Sequence, residues 1–336
     1  MTDSLRNRKP ASLQELLFEN DAARLRAVDG DIGVLSFKTK MHIIDDLVLE
    51  SLNRAVSLAE QQLAGMILWH PDEPFSAGAD LKAFMPIALR GVLPGSNALD
   101  ELLVRFQQGC IRMRKSGIPV VAAVHGRALG GGCELMMQCD RTVAARESHI
   151  GLVEASVGLI PAGSGCMELA RRASLQAGDG NLLPFLKPFF ETLATGKVAT
   201  NAGMAHKYGF LRESDVIVMK SREVLPAALA EVRQLNAAGY CPLPGIPIRA
   251  GGREALARFE MTLTRMYEDG IISDHDLRVG CEVANALCGG EVDAGTGLDE
   301  ASYLRCEREG FHRLIRSTET QARILHTLDT GKLLRN

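Results

Sequence analysis

The sequence predicts a layered α/β fold with a mostly helical C-terminal region. Short β-rich runs alternate with helical stretches from about Gly30 onward, which is typical of a sheet covered by helices. The segment IPVVAAV at 118–124 is an uninterrupted apolar run with Pro119 near its start, and it favours a fully buried strand. Beyond about Pro226 the pattern becomes helical, and the insert GYCPLPGIPIRAGG at 239–252 is expected to cross the surface as an irregular loop.

Each element of the first region has its own signal. IGVLSF at 32–37 favours a strand, and Asp45 or Asp46 is expected to cap the following helix, whose apolar residues recur at helical spacing. MILW at 66–69 and TVAA at 142–145 predict further strands. Between these two strands we expect a Pro/Gly-rich stretch around 86–96 and then a helix over about 99–115.

The chain is expected to have three parts. Residues 1–25 are polar and weakly patterned, which predicts a linker or a short entry helix over SLQELLFEN at 12–20. Residues 26–225 form the expected core domain. Residues 226–336 form the expected helical region, whose final stretch at about 300–328 has amphipathic spacing.

Charge and hydropathy exclude two classes of partner. A formal net charge of -3 and the absence of any dense Lys/Arg cluster argue against binding of nucleic acid. The longest apolar run, at 118–124, is far shorter than the roughly 20 residues of a membrane helix, so we expect no membrane association.

The cysteines and the N-terminus indicate a cytoplasmic protein. Eight cysteines are scattered without a C-x-x-C pair or a histidine at metal-ligand spacing, which predicts reduced packing residues and no metal site. The segment MTDSLRNRKP has no apolar stretch after its basic residues, so it does not resemble an export signal. Glu15, Glu19 and Asp21 also argue against a transit peptide.

Two glycine-bearing segments each lead into a predicted helix: FSAGADLK at 75–82 and HGRALGGGCE at 125–134. Glycines without a β-carbon let the backbone approach a ligand closely. The amides at the start of the second helix have no helical acceptor and lie at the positive end of its dipole. Gly131 could therefore contribute to an oxyanion hole.

Two acids follow these glycines. Glu134 lies on the first turn of the second helix, and Glu154 lies in SHIGLVEASVGLIPAG after the strand TVAA. Paired carboxyl groups beside an oxyanion hole suit general acid-base chemistry on a carbonyl-activated substrate. The spacing leaves open whether the two side chains meet, and each could instead be an ordinary acid at a helix start.

Two other polar residues near these segments have structural interpretations. Asp80 is expected to cap the helix LKAF rather than to act on a substrate. Cys133 has His125 upstream and could be an activated thiol, but we interpret it as a packing residue.

The segments FSAGADLK, IPVVAAVHGRALGGGCELMMQCDR and IGLVEASVGLIP resemble those of the crotonase superfamily, and within it the enoyl-CoA hydratases. The resemblance runs from about Gly30 to Val218 and resumes weakly in the final helix. It implies a crotonase-type spiral of ββα units with a helical C-terminal region, assembled as a trimer or a hexamer. It also implies that the CoA thioester is the substrate and that no cofactor is needed.

The resemblance also implies roles for individual residues. The amides of Ala79 and Gly131 would bind the thioester carbonyl, and the backbone of Ala79, Asp80, Leu81 and Lys82 would hold the adenine end of CoA. Glu134 and Glu154 would orient water for syn addition to a trans-2-enoyl-CoA in fatty acid β-oxidation. Glu154 would deliver the proton to C2, and the product would be a 3-hydroxyacyl-CoA.

The chain departs from the usual hydratase pattern at three places. It has AGSGCMEL at 162–169 where hydratases read GAGGTQRL, FKTKMHII at 37–44 in place of an Asn-Arg-Pro element, and an insert at about 240–300. Together with the C-terminal TGKLLRN, these features are most similar to the hydratase portion of proteins fused to a 3-hydroxyacyl-CoA dehydrogenase. Such a dehydrogenase is therefore an expected functional partner, although the chain has no dinucleotide-binding fingerprint.

Two alternatives to the hydratase remain open. An enoyl-CoA isomerase would move the double bond with one carboxylate near Glu154. A non-catalytic acyl-CoA-binding module would keep the glycine segments without turnover, and the altered turn at 162–166 motivates this hypothesis.

Overall fold

A seven-stranded sheet forms the centre of the computed structural model, which describes residues 13–82, 84–86, 97–242 and 245–336. Its strand order is β1-β2-β3-β4-β5-β7-β9. The strands of the described chain are β1 (Leu13–Glu19), β2 (Ala23–Val28), β3 (Ile32–Phe37), β4 (Gly65–Leu68), β5 (Val120–Val124), β6 (Arg127–Leu129), β7 (Arg141–Ala145), β8 (His149–Gly151), β9 (Val216–Val218), β10 (Ile248–Arg249) and β11 (Gly297–Leu298).

Helices connect the parallel strands of this sheet. Strands β1 to β3 form an antiparallel meander, whereas β3, β4, β5, β7 and β9 are parallel neighbours and need crossover connections. We number the principal α-helices of the described residues α1 (Asp46–Gln62), α2 (Ala98–Arg114), α3 (Gly131–Met137), α4 (Gly165–Ala177), α5 (Leu183–Ala194), α6 (Ala202–Lys207), α7 (Val224–Ala237), α8 (Gly252–Glu268), α9 (Asp274–Cys288), α10 (Glu300–Ile315) and α11 (Thr318–Thr330). None of the helices in the described part is long and apolar enough to cross a bilayer.

The strands and helices predicted between residues 32 and 145 are present. The Asp45 side chain accepts a hydrogen bond from the Val48 amide at 2.8 Å and so caps α1. The expected Pro/Gly-rich stretch at 86–96 lies, apart from residue 86, outside the described residues.

The expectation of a linker or entry helix is wrong for residues 13–19. Residues 13–19 form β1 and pair with β2, which in turn pairs with β3 and extends across the expected boundary at 25/26. In β2, Leu25 and Ala27 are buried while Arg24 and Arg26 are partly exposed. This period-two alternation is the signature of a strand with one face on the core.

The boundary expected at 225/226 falls inside α7. This helix packs on one face of the sheet, where its Val224, Ala228 and Val232 share an apolar cluster with strand residues including Ile67 and Val121. Helices α8 to α11 belong to a second cluster, continuous with the other face of the sheet. The expected irregular insert is anchored at one end, because β10 pairs with β11.

A second layer of short extended segments lies beside the sheet and positions the functional site. Strands β6 and β8 pair in parallel, Ser76 bridges to Ala128, and Ile44 bridges to Ala79. Most of these segments follow a strand of the main sheet and lead into a helix or a helical turn. The repeated order is strand, extended segment and helix, so the glycine segments 75–82 and 125–134 lie side by side.

Candidate active site

A cavity of about 320 Å³ opens where the glycine segments meet the helices. Its lining contains Ala79, Asp80, Leu81, Gly131, Glu134 and Glu154 among the residues predicted from the sequence. Apolar side chains complete the wall, among them Leu49 from α1, Leu102, Leu103 and Phe106 from α2, Phe311 from α10, and Leu333. Lys82 is exposed and does not line the cavity.

The amides of Ala79 and Gly131 lie on adjacent segments. Ile44 donates to the Gly78 carbonyl at 2.9 Å and accepts from the Asp80 amide at 3.1 Å, so the intervening Ala79 amide faces away from Ile44. A β-carbon placed on Gly131 would lie 3.5 Å from the Ala79 nitrogen. Within the described chain, neither amide donates a backbone hydrogen bond, so both are available to one acceptor.

Two glycines permit this close approach. Gly78 has φ +96°, and a β-carbon there would lie 2.9 Å from the Leu129 carbonyl oxygen. Gly130 has φ +52° and precedes α3, whose first residue is Gly131. These are conformations and contacts that a side chain would oppose.

Glu134 is a buried acid held by backbone amides. Only 3% of its surface is exposed, and its Oε1 accepts hydrogen bonds of 2.8 Å from the amides of Gly163 and Gly165. Burial raises the pKa of Glu134 to about 7, although these two hydrogen bonds favour the charged form. This carboxyl group can therefore exchange a proton near neutral pH.

Glu154 lies across from Gly130 at the start of a single 3-10 turn, Glu154–Val157. Its Oε1 would be 3.0 Å from a β-carbon on Gly130, and its buried Oε2 has no hydrogen-bond partner within the described residues. Burial, and next the charge of Glu134, raise the pKa of Glu154 well above its usual range. The arrangement therefore favours a protonated Glu154 beside an ionisable Glu134.

The Asp80 side chain accepts a hydrogen bond from the Lys82 amide at 2.9 Å. This contact is the local capping interaction expected of Asp80. Cys133 is fully buried, and burial raises the pKa of its thiol well above the usual range. A buried neutral thiol is a poor nucleophile, which agrees with the packing interpretation.

Sequence reasoning missed Phe106, which lies at the centre of the site. A β-carbon on Gly131 would lie 2.8 Å from the Phe106 Cζ, and one on Gly163 would lie 1.8 Å from its Cε1. The ring therefore packs against both the predicted oxyanion-hole glycine and the glycine that binds Glu134. In the sequence, Phe106 is one of several apolar residues in α2, and no local signal distinguishes it.

Sequence reasoning also missed Glu307, a fully buried acid on α10. Its Oε1 accepts a hydrogen bond from the Met167 amide at 2.8 Å, at the start of α4. The available signal was its position between Tyr303 and Phe311 on the apolar face of a predicted helix. A charge on such a face is unusual and marks a paired or functional group.

The segment AGSGCMEL at 162–169 contributes Glu168 to a buried cluster of charges. Glu168 is fully buried, and its carboxylate accepts hydrogen bonds of 2.7 to 2.8 Å from Arg171 and Arg172. Burial opposes its ionisation, but these two arginines outweigh it and hold the pKa of Glu168 well below the usual range.

Across the described ranges, no group of three His, Cys, Asp or Glu side chains is arranged to hold a metal ion.

A family model and a curated relative of this chain agree on one family. Residues 34–182 match the family model of enoyl-CoA hydratase/isomerase. A probable enoyl-CoA hydratase of Bacillus subtilis is 34% identical over 215 residues, which cover 62% of this chain and 80% of that protein. A probable 3-hydroxyacyl-CoA dehydrogenase of Bacillus subtilis is 31% identical over 338 residues, which cover 98% of this chain and 42% of that protein. This chain thus spans less than half the length of the dehydrogenase relative.

Solved structures show the same fold. An enoyl-CoA hydratase from Bacillus halodurans has a TM-score of 0.60 at 17% identity, covering 90% of this chain and 99% of that one. An enoyl-CoA hydratase/isomerase from Xanthobacter autotrophicus Py2 has a TM-score of 0.58 at 19% identity, covering 95% of both chains. The crotonase-type α/β fold predicted from the sequence is confirmed.

Proposed function

Because the chain belongs to the enoyl-CoA hydratase/isomerase family, we propose that it adds water to a trans-2-enoyl-CoA to give a 3-hydroxyacyl-CoA, a hydro-lyase step of fatty acid β-oxidation. One observation carries the proposal. Glu134 and Glu154 line the same cavity as the amides of Ala79 and Gly131, which have no backbone acceptor in the described part of the chain. The CoA thioester is the substrate, and the proposal requires no cofactor.

In the proposed reaction, the amides of Ala79 and Gly131 bind the thioester carbonyl oxygen. Negative charge develops on this oxygen when water adds to C3, so preorganised donors stabilise the transition state more than the ground state. The position of Gly131 at the start of α3 adds the positive end of the helix dipole. The backbone at 79–82 holds the adenine end of CoA in this proposal.

The two acids move the protons. Glu134, ionised near neutral pH, accepts one proton of the water whose oxygen bonds to C3. Glu154, protonated, delivers its proton to C2 on the same face. The net change is the addition of one water molecule, and a proton passing from Glu134 to Glu154 restores the starting state.

The remaining wall of the cavity suits an acyl chain. The side chains of Leu102, Leu103 and Phe311 present apolar surface to it. The product would be a substrate for a 3-hydroxyacyl-CoA dehydrogenase, and the Bacillus subtilis relative that matches 98% of this chain is named a probable enzyme of that kind. We therefore propose that the chain works with such a dehydrogenase. A homo-oligomeric state and a cytoplasmic location stay predictions.

A second candidate is an enoyl-CoA isomerase, and one observation favours it. Glu154 has a buried oxygen without a hydrogen-bond partner among the described residues, so one carboxyl group could remove a proton at C2 and return it at C4. In that reaction Glu134 would have no direct part.

Two substrates distinguish these reactions. Crotonoyl-CoA should lose its enoyl-thioester absorbance with the parent protein and should keep it with Glu134→Gln. A 3-enoyl-CoA should gain that absorbance only if the chain is an isomerase. Stable crotonoyl-CoA absorbance at micromolar protein would contradict the hydratase, and isomerisation that persists in Glu134→Gln would support the second candidate.

A further inference from the structure

Glu307 and Glu134 hold the same turn from two different helices. Glu134 on α3 accepts hydrogen bonds from the amides of Gly163 and Gly165. Glu307 on α10 accepts one from the Met167 amide at 2.8 Å. The turn at 163–167 therefore depends on two buried acids whose positions in the sequence are far apart.

The turn itself needs such support. Ser164, between the two amides that bind Glu134, has φ +121°, a backbone conformation that residues with side chains rarely adopt. Strained backbone of this kind persists only where surrounding contacts hold it. Movement of the turn would displace the two amides that fix Glu134.

Gln107 on α2 ties Glu307 to the same turn. Its Nε2 donates to the Ala162 carbonyl at 2.9 Å and lies 3.5 Å from the Glu307 Oε2. Its Oε1 accepts a hydrogen bond from Arg308 at 2.6 Å. The orientation of Gln107 is therefore fixed from both ends of its amide.

The ionisable groups around the two acids are mostly neutral. Glu154 and the thiol of Cys133 face Glu134, while the thiols of Cys110, Cys166 and Cys306 face Glu307, with Arg308 reaching it through Gln107. Burial raises the pKa of each thiol. Burial, and next the charge of Glu134, raise the pKa of Glu307. Glu134 thus ionises before Glu307, which stays neutral while Glu134 titrates.

We propose that Glu307 is a positioning residue for the reaction: it holds the turn at 163–167 in place, and through this turn it keeps the amides of Gly163 and Gly165 against Glu134. Its effect on hydration rests on the proposed function. Its effect on the ionisation of Glu134 does not, because that effect exists in the ligand-free protein.

Two substitutions separate the hydrogen bond from the ionisable group. Glu307→Gln keeps an oxygen that can accept from the Met167 amide but removes the ionisable group. Glu307→Asp keeps an ionisable carboxyl group but withdraws it from that amide. Glu309→Gln is the matched control, because Glu309 lies on the same helix and its side chain is 54% exposed.

The first measurement is the titration of Glu134 in the ligand-free full chain, by NMR of glutamate labelled with ¹³C at Cδ and assigned with Glu134→Gln. In Glu307→Asp, Glu134 should ionise at higher pH than in the parent, because movement of the turn weakens the hydrogen bonds from Gly163 and Gly165 that favour its charged form. In Glu307→Gln it should ionise as in the parent, because an oxygen that accepts from the Met167 amide is kept. Glu309→Gln should match the parent. Identical titration of Glu134 in Glu307→Asp, Glu309→Gln and the parent would overturn the proposal.

The second measurement is the pH profile of kcat with crotonoyl-CoA. Glu307→Gln should keep a near-parental profile, whereas Glu307→Asp should move the acidic limb to higher pH and lower kcat about 10- to 100-fold with less change in KM. Equal losses of kcat in both variants without a shifted limb would overturn the proposal, since a merely structural residue behaves so. A shifted NMR titration in a protein without hydratase activity would support the role of Glu307 and refute the proposed function.

Discussion

Glu134 and Gly163 fit together so closely that a β-carbon on Gly163 would lie 2.7 Å from the Glu134 Oε2. The Gly163 amide also donates a hydrogen bond of 2.8 Å to the Glu134 Oε1. The same glycine therefore binds the carboxylate and leaves room for it. Phe106 closes the other side of this contact, 1.8 Å from the same β-carbon position.

Gly163→Ala is expected to destabilise the protein by about 1–3 kcal/mol, because the methyl group overlaps the Phe106 ring and Glu134. Urea unfolding measures the change. Gly245→Ala is the control, since a β-carbon at Gly245 meets nothing within 4 Å. In a Phe106→Ala background the penalty of Gly163→Ala should shrink, by about 0.5–3 kcal/mol. Equal penalties in both backgrounds would show that Phe106 is not the obstacle.

Glu134→Gln is expected to stabilise the protein increasingly as pH rises. The pKa of Glu134 is raised from 4.5 to about 7. Ionisation of Glu134 therefore does not destabilise the folded parent below about pH 4.5, and its destabilising effect grows until the pH has passed 7. Glutamine does not titrate and can still accept from the two amides. Above pH 7 the free energy of unfolding of the variant should exceed that of the parent by about 3 kcal/mol, because each unit of pKa shift corresponds to ~1.4 kcal/mol.

Unfolding midpoints across pH 4 to 9 measure this difference, with Glu309→Gln as the exposed control. Parallel stability curves for Glu134→Gln and the parent would mean that Glu134 ionises as easily in the folded chain as in the unfolded one.

Glu154→Gln is expected to lower kcat for hydration about 100- to 10,000-fold, the usual contribution of a positioned acid. Binding of an acyl-CoA should change little, because the proposed carbonyl contacts are the amides of Ala79 and Gly131. Stopped-flow rates and calorimetric titration with a saturated acyl-CoA measure the two quantities. Unchanged kcat in Glu154→Gln would remove this residue from the chemistry.

Glu168→Gln is expected to lower the free energy of unfolding by about 3–5 kcal/mol, because it leaves the buried guanidinium of Arg172 without its charged partner. Glu254→Gln removes an exposed pair with Arg258 and should cost less than about 1 kcal/mol. Denaturant unfolding compares the two variants at pH 7. Similar small effects would show that water reaches the Glu168 cluster.

Most of the fold follows from local patterns in the sequence. Strand β3 was predicted at its observed bounds, because IGVLSF is β-rich, and α1 begins where Asp45 caps it. The first strand was missed because LQELLFE also fits a helical spacing. Its Leu16 is 46% exposed at the edge of the sheet, so burial gives it no clear period of two.

The site residues also fall into two groups, those that local sequence motifs predict and those that depend on tertiary packing. Glu134 and Glu154 stand in segments whose motifs are continuous in the sequence, so their shared cavity could be anticipated from the resemblance. Glu307 reaches the turn at 163–167 across 140 residues of sequence from Met167. No periodicity within α10 indicates which distant amide its carboxylate meets, and that contact depends on how the helices pack.

The most direct test of the proposed chemistry is the reaction of crotonoyl-CoA in H₂¹⁸O, followed by mass spectrometry. The parent protein should form 3-hydroxybutanoyl-CoA with one solvent oxygen at C3, and Glu134→Gln and Glu154→Gln should form it at least about 100-fold more slowly. If the parent binds crotonoyl-CoA but incorporates no solvent oxygen, the two acids do not act as proposed.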